Sequence, residues 1–258
     1  MDGAVSEPMR RHYGAGACQY GDLYLGAAQR RWRAIVLIHG GFWRPHRSLD
    51  MTTPAAADLA GRGWNIWNIE YRRNGQGEWP ATLEDCASAI DHLSVLGEEF
   101  SFNGADAIVV GHSAGGHLAV WSAGRQAVTS GPSSRPPSVQ VGGVVSLAGI
   151  LDFRRAVAAG TGDDAVAGFV GGVPEELPRR YAEADPMARL PTHTPVRCVH
   201  SRADERVPFE LSNSYVSAAH QSGDDVELIE VGGLHTDIID VDHPAWQVVV
   251  ATIDSLDR

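Results

Sequence analysis

The 258-residue sequence predicts an α/β fold in which a mostly parallel central sheet is flanked by helices. Short β-branched apolar runs alternate with helical patterns at least five times along the chain. That rhythm is the signature of right-handed β-α-β crossovers. Hydrophobic residues make up 43% and charged residues 21%, which is ordinary for a globular protein and poor for disorder or coiled coil. A chain of this length buries a sizeable core without staples.

The start of the chain reads as irregular. Arg33–His39 (RAIVLIH) is the first expected strand, being short, β-branched and closed by Gly40-Gly41. Ala55–Arg62 reads as a helix stopped by Gly63, and Trp64–Glu70 as the next strand. Thr82–Leu96 follows as a helix whose face is traced by Leu83, Ala87, Ile90 and Leu93 or Ser94, ending at Gly97. Asp106–Gly111 reads as a buried strand, followed by a helix that starts near Ser113 and continues through His117–Ser122. Strands are then expected at Val141–Leu147, Val196–His200 and Val226–Val231, with helices at Phe209–His220 and Pro244–Leu256.

Two stretches break the pattern. Ser130–Ser138 (SGPSSRPPS) has linker composition but reads as a surface loop, because the candidate chemistry draws from both sides of it. Ile150–Pro191 is a longer insertion with weak helical pieces, placed after a strand end where α/β proteins put ligand-covering elements. The expected organisation is one domain over residues 1–258 with a small cap at 150–191.

Composition excludes several classes of function. A net charge of −11 lacks the basic footprint of a nucleic-acid binder. All 21 basic residues are arginine, so Schiff-base chemistry, a Walker A phosphate loop and a kinase lysine are absent. The three cysteines, Cys18, Cys86 and Cys198, lie far apart, which argues against a disulfide framework and a structural zinc site. With no secretory h-region and no apolar run near the roughly 18 residues of a membrane span, a soluble, cytoplasmic protein is expected. Nothing in the sequence sets an oligomeric state.

The chemistry centres on Gly111-His112-Ser113-Ala114-Gly115, a G-x-S-x-G between a buried strand and a helix. The pentapeptide alone is weak; its placement carries the weight. A serine hydroxyl needs a base, and 11 histidines are available. The loop after the last strand holds His235, with His243 in reserve at a helix start. The orienting acid belongs after the preceding strand, where Asp204 is favoured over its neighbour Glu205 and the more distant Asp152. Donors for an oxyanion are expected from the backbone N–H groups of Ala114, Gly41 and Phe42. Trp43, Tyr71 and Trp79 are candidates for stacking on an aromatic leaving group, against the plainer reading that they pack in the core.

These motifs together resemble the α/β-hydrolases of the arylformamidase and hormone-sensitive-lipase-like esterase group. His39-Gly40-Gly41-Phe42-Trp43 is similar to the HGG-x-W loop of kynurenine formamidases; GHSAGGHLA, the D-x-x-VP of Asp204–Pro208 and LHTDIID around His235 fit the same group. The resemblance runs from about Ile35 to Ile239. It implies Ser113 as nucleophile, Asp204 as acid and His235 as base. Phe42 stands where lipase-like esterases usually carry a third glycine, which would favour a small acyl group such as formyl or acetyl.

The expected function is a cofactor-independent serine hydrolase of small carboxylic esters or aryl formamides, with no metal required. A peptidase or thioesterase would use the same triad. Hormone receptors resembling this fold have lost the catalytic histidine, whereas His235 is present here, which argues against a non-catalytic binding protein.

Overall fold

Neighbouring residues of one short strand, Ala34–Ile38, feed two different cores: Ala34, Val36 and Ile38 on one side, Ile35 and Leu37 on the other. A strand that is apolar on both faces must be covered on both, which is the condition of a parallel sheet inside an α/β protein. The computed structural model describes residues 7–26, 31–127 and 136–257. The expected surface loop at Ser130–Ser138 lies largely outside the described residues.

Among the described residues eight strands form one sheet: β1 (Met9–His12), β2 (Tyr20–Tyr24), β3 (Ala34–Ile38), β4 (Ile66–Ile69), β5 (Asp106–His112), β6 (Gln140–Leu147), β7 (Val196–Ser201) and β8 (Val226–Val231). Their spatial order is β1-β2-β4-β3-β5-β6-β7-β8. Strands β3 to β8 run parallel, and β1 and β2 add an antiparallel edge. The helices are α1 (Thr53–Gly61), α2 (Ala81–Phe100), α3 (Ala114–Ala123), α4 (Phe153–Ala158), α5 (Ala165–Val170), α6 (Pro178–Ala184), α7 (Glu210–Gln221) and α8 (Pro244–Ser255). Helices α2, α3 and α7 cover one face of the sheet, and α1 and α8 the other. This is the α/β-hydrolase architecture.

Two readings of the sequence need correction. The irregular start contains β1 and β2, whose MRRH and YGDLY stretches lack β-branched residues and a sustained apolar alternation. Edge pairing and the Arg10–Asp22 ion pair at 2.8 Å hold them, together with the Tyr13 hydroxyl donating to the Glu70 carbonyl at 2.6 Å. Helix α2 also runs past Gly97 to Phe100 and closes at Ser101, which adopts φ 59°. Gly97 is there for close approach: a Cβ on it would sit 2.6 Å from the Gly104 nitrogen.

Between β6 and β7 lie α4, α5, α6 and a 3-10 turn at Pro186–Arg189, so the 150–191 insertion is more helical than its sequence suggests. Asp152 caps α4 by accepting from the Arg155 N–H at 3.0 Å, and Asp185 caps the 3-10 turn. The insertion is tied to the body through His117 Nε2, 2.9 Å from the Ala184 carbonyl, and Trp121 Nε1, which donates to Glu183 O at 2.9 Å.

Candidate active site

Ser113 occupies the turn between β5 and α3 with φ 57° and ψ −118°, a conformation that side chains other than glycine rarely adopt. Two main-chain hydrogen bonds hold it there. Its N–H donates to Leu147 O on β6 at 2.8 Å, and its carbonyl accepts from the His117 N–H at 3.1 Å. Neighbouring backbone explains the flanking glycines. A Cβ on Gly111 would collide with the Gly115 carbonyl, and one on Gly115 with the Ile38 carbonyl of β3. Only a strand and helix without side chains at these positions can approach closely enough to make the turn.

Asp204 follows β7, and His235 follows β8. His235 Nδ1 donates to Asp204 Oδ2 at 2.6 Å. The other carboxylate oxygen, Oδ1, accepts the N–H groups of Arg206 and Val207, each at 2.8 Å. His200 completes the shell, with its Nε2 3.2 Å from Asp204 Oδ2 and its Nδ1 2.8 Å from Ser212 Oγ. Burial alone would raise the Asp204 pKa, but the hydrogen bonds from His200 and His235 outweigh it and hold the carboxyl well below the usual range. Asp204 is thus an ionised, fixed acceptor. Glu205, the neighbour considered beside it, accepts the His235 main-chain N–H at 3.1 Å. His243 caps α8, its Nδ1 accepting from Ala245 N at 3.2 Å.

His112 links the two halves of the site. Its Nε2 lies 3.0 Å from His235 O, and the two rings are 4.6 Å apart. Burial, and secondarily the neighbouring His235, push the His112 imidazole down to about 3, so it stays neutral.

The loop after β3 carries consecutive positive φ angles at Gly41 (114°), Phe42 (53°) and Trp43 (53°). What anchors it is Glu70, at the end of β4, which the sequence reading passed over as a strand terminus. Glu70 Oε1 takes His39 Nε2 at 2.9 Å, the Tyr71 N–H at 2.8 Å and Arg73 Nη1 at 2.8 Å, while Oε2 takes the Leu49 N–H at 3.2 Å. Burial would raise this carboxyl, yet the hydrogen bond from His39 and its other partners lower it. Arg73 also donates to the Arg47 carbonyl, so one buried carboxylate ties down the whole 39–49 segment. A carboxylate at a strand end with a histidine opening the preceding loop is the only hint the sequence offers of this hub. Among the described residues no acceptor takes the main-chain N–H of Gly41, Phe42 or Ala114.

A cavity of about 400 Å³ opens in front of these elements. Ser113, His235, His112, Gly41 and Phe42 line it, and Gly162 and Asp163 from the 150–191 insertion reach its edge. Arg44 Nη2 donates to Gly162 O at 2.6 Å, and the Phe42 ring leans on Gly162. The three aromatic candidates do not line the cavity. Trp43 is buried in a cluster with Phe169, stacked at 4.5 Å, and edge-on to His117 and Phe153. Tyr71 is buried and stacked on His39 at 4.4 Å, with its hydroxyl donating to His39 O. Trp79 packs edge-on against Phe169 and borders a separate small pocket. Their area serves packing, as large buried aromatics usually do.

Similarity to known proteins agrees with this fold. The structure superposes on a truncated carbohydrate esterase from gut microbiota with a TM-score of 0.80 and 20% identity, covering 100% of this chain and 98% of that one. Esterase B from Lactobacillus rhamnosis HN001 gives 0.84 at 17% identity, over 99% and 86% of the two chains. In sequence, the chain is 26% identical over 205 residues to the probable carboxylic ester hydrolase LipM of Mycobacterium tuberculosis, covering 72% of this chain and 44% of LipM. It is 32% identical over 127 residues to the kynurenine formamidase of Meyerozyma guilliermondii, covering 48% of this chain and 46% of that one. The chain therefore spans less than half the length of these two relatives. The BD-FAE family pattern matches residues 22–218, from β2 through most of α7, and the chain belongs to the BD-FAE family of α/β-hydrolase proteins.

Proposed function

We propose that the protein is a cofactor-independent serine hydrolase of small carboxylic esters and aryl formamides, with Ser113 as nucleophile, His235 as general base and Asp204 as the orienting acid. The observation that carries this reading is the 2.6 Å bond from His235 Nδ1 to Asp204, on a ring that shares one cavity with Ser113. That bond places the ring proton on Nδ1 and leaves Nε2 to accept the proton of the serine hydroxyl.

Ser113 Oγ adds to the acyl carbonyl, and its proton passes to His235 Nε2. The negative charge that develops on the carbonyl oxygen is met by the N–H groups of Gly41, Phe42 and Ala114, the last at the N-terminal end of α3. Collapse expels the alcohol or amine, which takes the proton from His235. Water then cleaves the acyl-enzyme by the same path in reverse order. The Phe42 ring, propped on Gly162, narrows the acyl side, and residues 150–191 serve as the cap over it. Similarity to LipM supports the ester, and similarity to the kynurenine formamidase supports the formamide. The three free cysteines suit a reducing compartment such as the cytoplasm, and no helix among the described residues is long and apolar enough to cross a membrane.

The test is kcat/KM for p-nitrophenyl acetate beside N-formylkynurenine, with Ser113→Ala as the blank. Values near 10⁴ M⁻¹s⁻¹ or above, roughly the lower end of ordinary enzyme efficiency, are expected for at least one of them. Rates equal to the blank for both would overturn the reading.

A further inference from the structure

The cavity in front of Ser113 is basic, on a protein whose net charge is −11. Arg44, Arg47 and Arg206 all line it, and among the described residues the only carboxylate in its wall is that of Asp163, whose 96% exposed side chain lies 3.9 Å from Arg44 Nη2. Two of the guanidinium groups have protein partners. Arg44 donates to Gly162 O at 2.6 Å, and Arg206 Nε lies 3.4 Å from Glu205 Oε1. Arg47 differs: among the described residues its guanidinium has no hydrogen-bond or ion-pair partner.

The backbone and stem of Arg47 are nevertheless held in place. Its carbonyl accepts from Arg73, which is itself bound to the buried Glu70. Its main-chain N–H donates to Arg44 O at 3.3 Å, and its stem lies against Gly41, where a Cβ would collide with Arg47 Cβ and Cγ. The backbone and stem of Arg47 are thus fixed beside the loop proposed to receive the oxyanion, and its guanidinium, on an exposed side chain, has its hydrogen-bonding fork open to a ligand. Guanidinium is the group best matched to a carboxylate, through two parallel N–H···O bonds.

We infer that the hydrolase takes esters or amides carrying a second, free carboxylate, with Arg47 as the residue that anchors it. This rests on the serine-hydrolase reading above and adds the substrate class. The overall charge makes the sign of the effect informative. A protein this acidic repels anions at long range, so a preference for them must come from the local field. Arg47 and Arg206 are both exposed, so that field acts at short range and salt weakens it.

The experiment compares two matched pairs on the full chain: monoethyl succinate with ethyl butyrate, and 4-acetoxybenzoate with its methyl ester. The first pair puts the charge on the acyl side, the second on the leaving group. Each rate is normalised to the alkaline hydrolysis of the same compound. In at least one pair the anionic member is expected to lead by about tenfold or more in kcat/KM, mainly through KM, and to lose that lead in 0.5 M NaCl (on the order of a 4 Å Debye length). The lead is expected to fall about tenfold in Arg47→Gln and to return in part in Arg47→Lys. Neutral members matching or beating the anionic ones in both pairs would overturn the inference. So would a lead that survives Arg47→Gln but vanishes in Arg206→Gln, because the anchor would then be elsewhere. Turnover of neutral probes above the Ser113→Ala blank shows separately that the hydrolase reading stands; no turnover of any probe ends both.

Discussion

His112 Nε2 donates to the main-chain carbonyl of His235 across 3.0 Å, so the residue before Ser113 holds the loop that carries the proposed base. The partner is backbone and the imidazole is neutral, which marks a positioning role. His112→Phe keeps the ring volume and removes the donor. Its kcat is expected to fall by about tenfold to a hundredfold with KM changed little, because small misplacements of a reacting group cost on that order. An unchanged kcat would remove His112 from the account.

Glu70 offers a sharper test of how the loop after β3 is held. Its side chain is 2% exposed and ties together His39, Tyr71, Arg73 and Leu49. Glu70→Ala leaves Arg73 and His39 buried without their acceptor, and breaking a buried ion pair costs about 3–5 kcal/mol. Urea unfolding is expected to show a loss of that order. Glu70→Gln, which keeps the shape, is expected to lose less stability yet still lower kcat, since one oxygen acceptor becomes a donor. A loss below about 1 kcal/mol for Glu70→Ala would mean that the hub is not structural.

The crowding at the serine turn can be weighed with one methyl group. Gly115→Ala drives a Cβ into the Ile38 carbonyl of β3, a rigid backbone neighbour. Overpacking of this kind costs about 1–3 kcal/mol or more, so reduced yield or a clearly lowered Tm is expected. Gly232→Ala is the control: its Cβ would meet nothing within 4 Å, and a change within about 0.5 kcal/mol is expected.

Stability should fall on mild acidification. Burial pushes His112 and His117 down to about 3, so the folded state refuses protons that the unfolded chain takes up below its ordinary value near 6.5. Their contribution is therefore complete above that value and is lost as pH falls toward 3. Asp185 acts in the opposite direction. Burial raises it to about 7, so its contribution is present below its ordinary 3.8 and is lost as pH rises toward 7. Two histidines outweigh one aspartate, and urea unfolding is expected to give lower stability at pH 5 than at pH 7.5. The drop should deepen in Asp185→Asn and shrink in His117→Gln. Higher stability at pH 5 would reverse the sign of the account.

Much of this was legible because the sequence signals were local. Strands β3 and β5 are short apolar runs buried on both faces, and the serine turn announces itself by glycines on either side of Ser113. Asp204 and His235 follow the ends of consecutive strands, so a parallel sheet delivers them to the same edge. Other features were not legible. Strand β2 gains its structure from pairing with β4, more than 40 residues away in sequence, β1 from pairing with β2, and Tyr13, next to β1, from the distant Glu70 carbonyl. The role of Gly97 depends on Gly104 folding back on it, and Trp43 is an aromatic whose burial is decided by Phe153 and Phe169 of the insertion. The Glu70 hub combines four contacts, none with a local sequence pattern strong enough to reveal it. The overall acidity hid a cavity lined by three arginines.

The central claim is that Ser113 is the nucleophile activated by His235. Incubation with a fluorophosphonate, followed by intact mass and peptide mapping, tests it without knowledge of the substrate. A single covalent adduct on Ser113 is expected, absent in Ser113→Ala and formed slower by orders of magnitude in His235→Ala. An adduct on another residue, or labelling of Ser113 at the same rate without His235, would contradict the account.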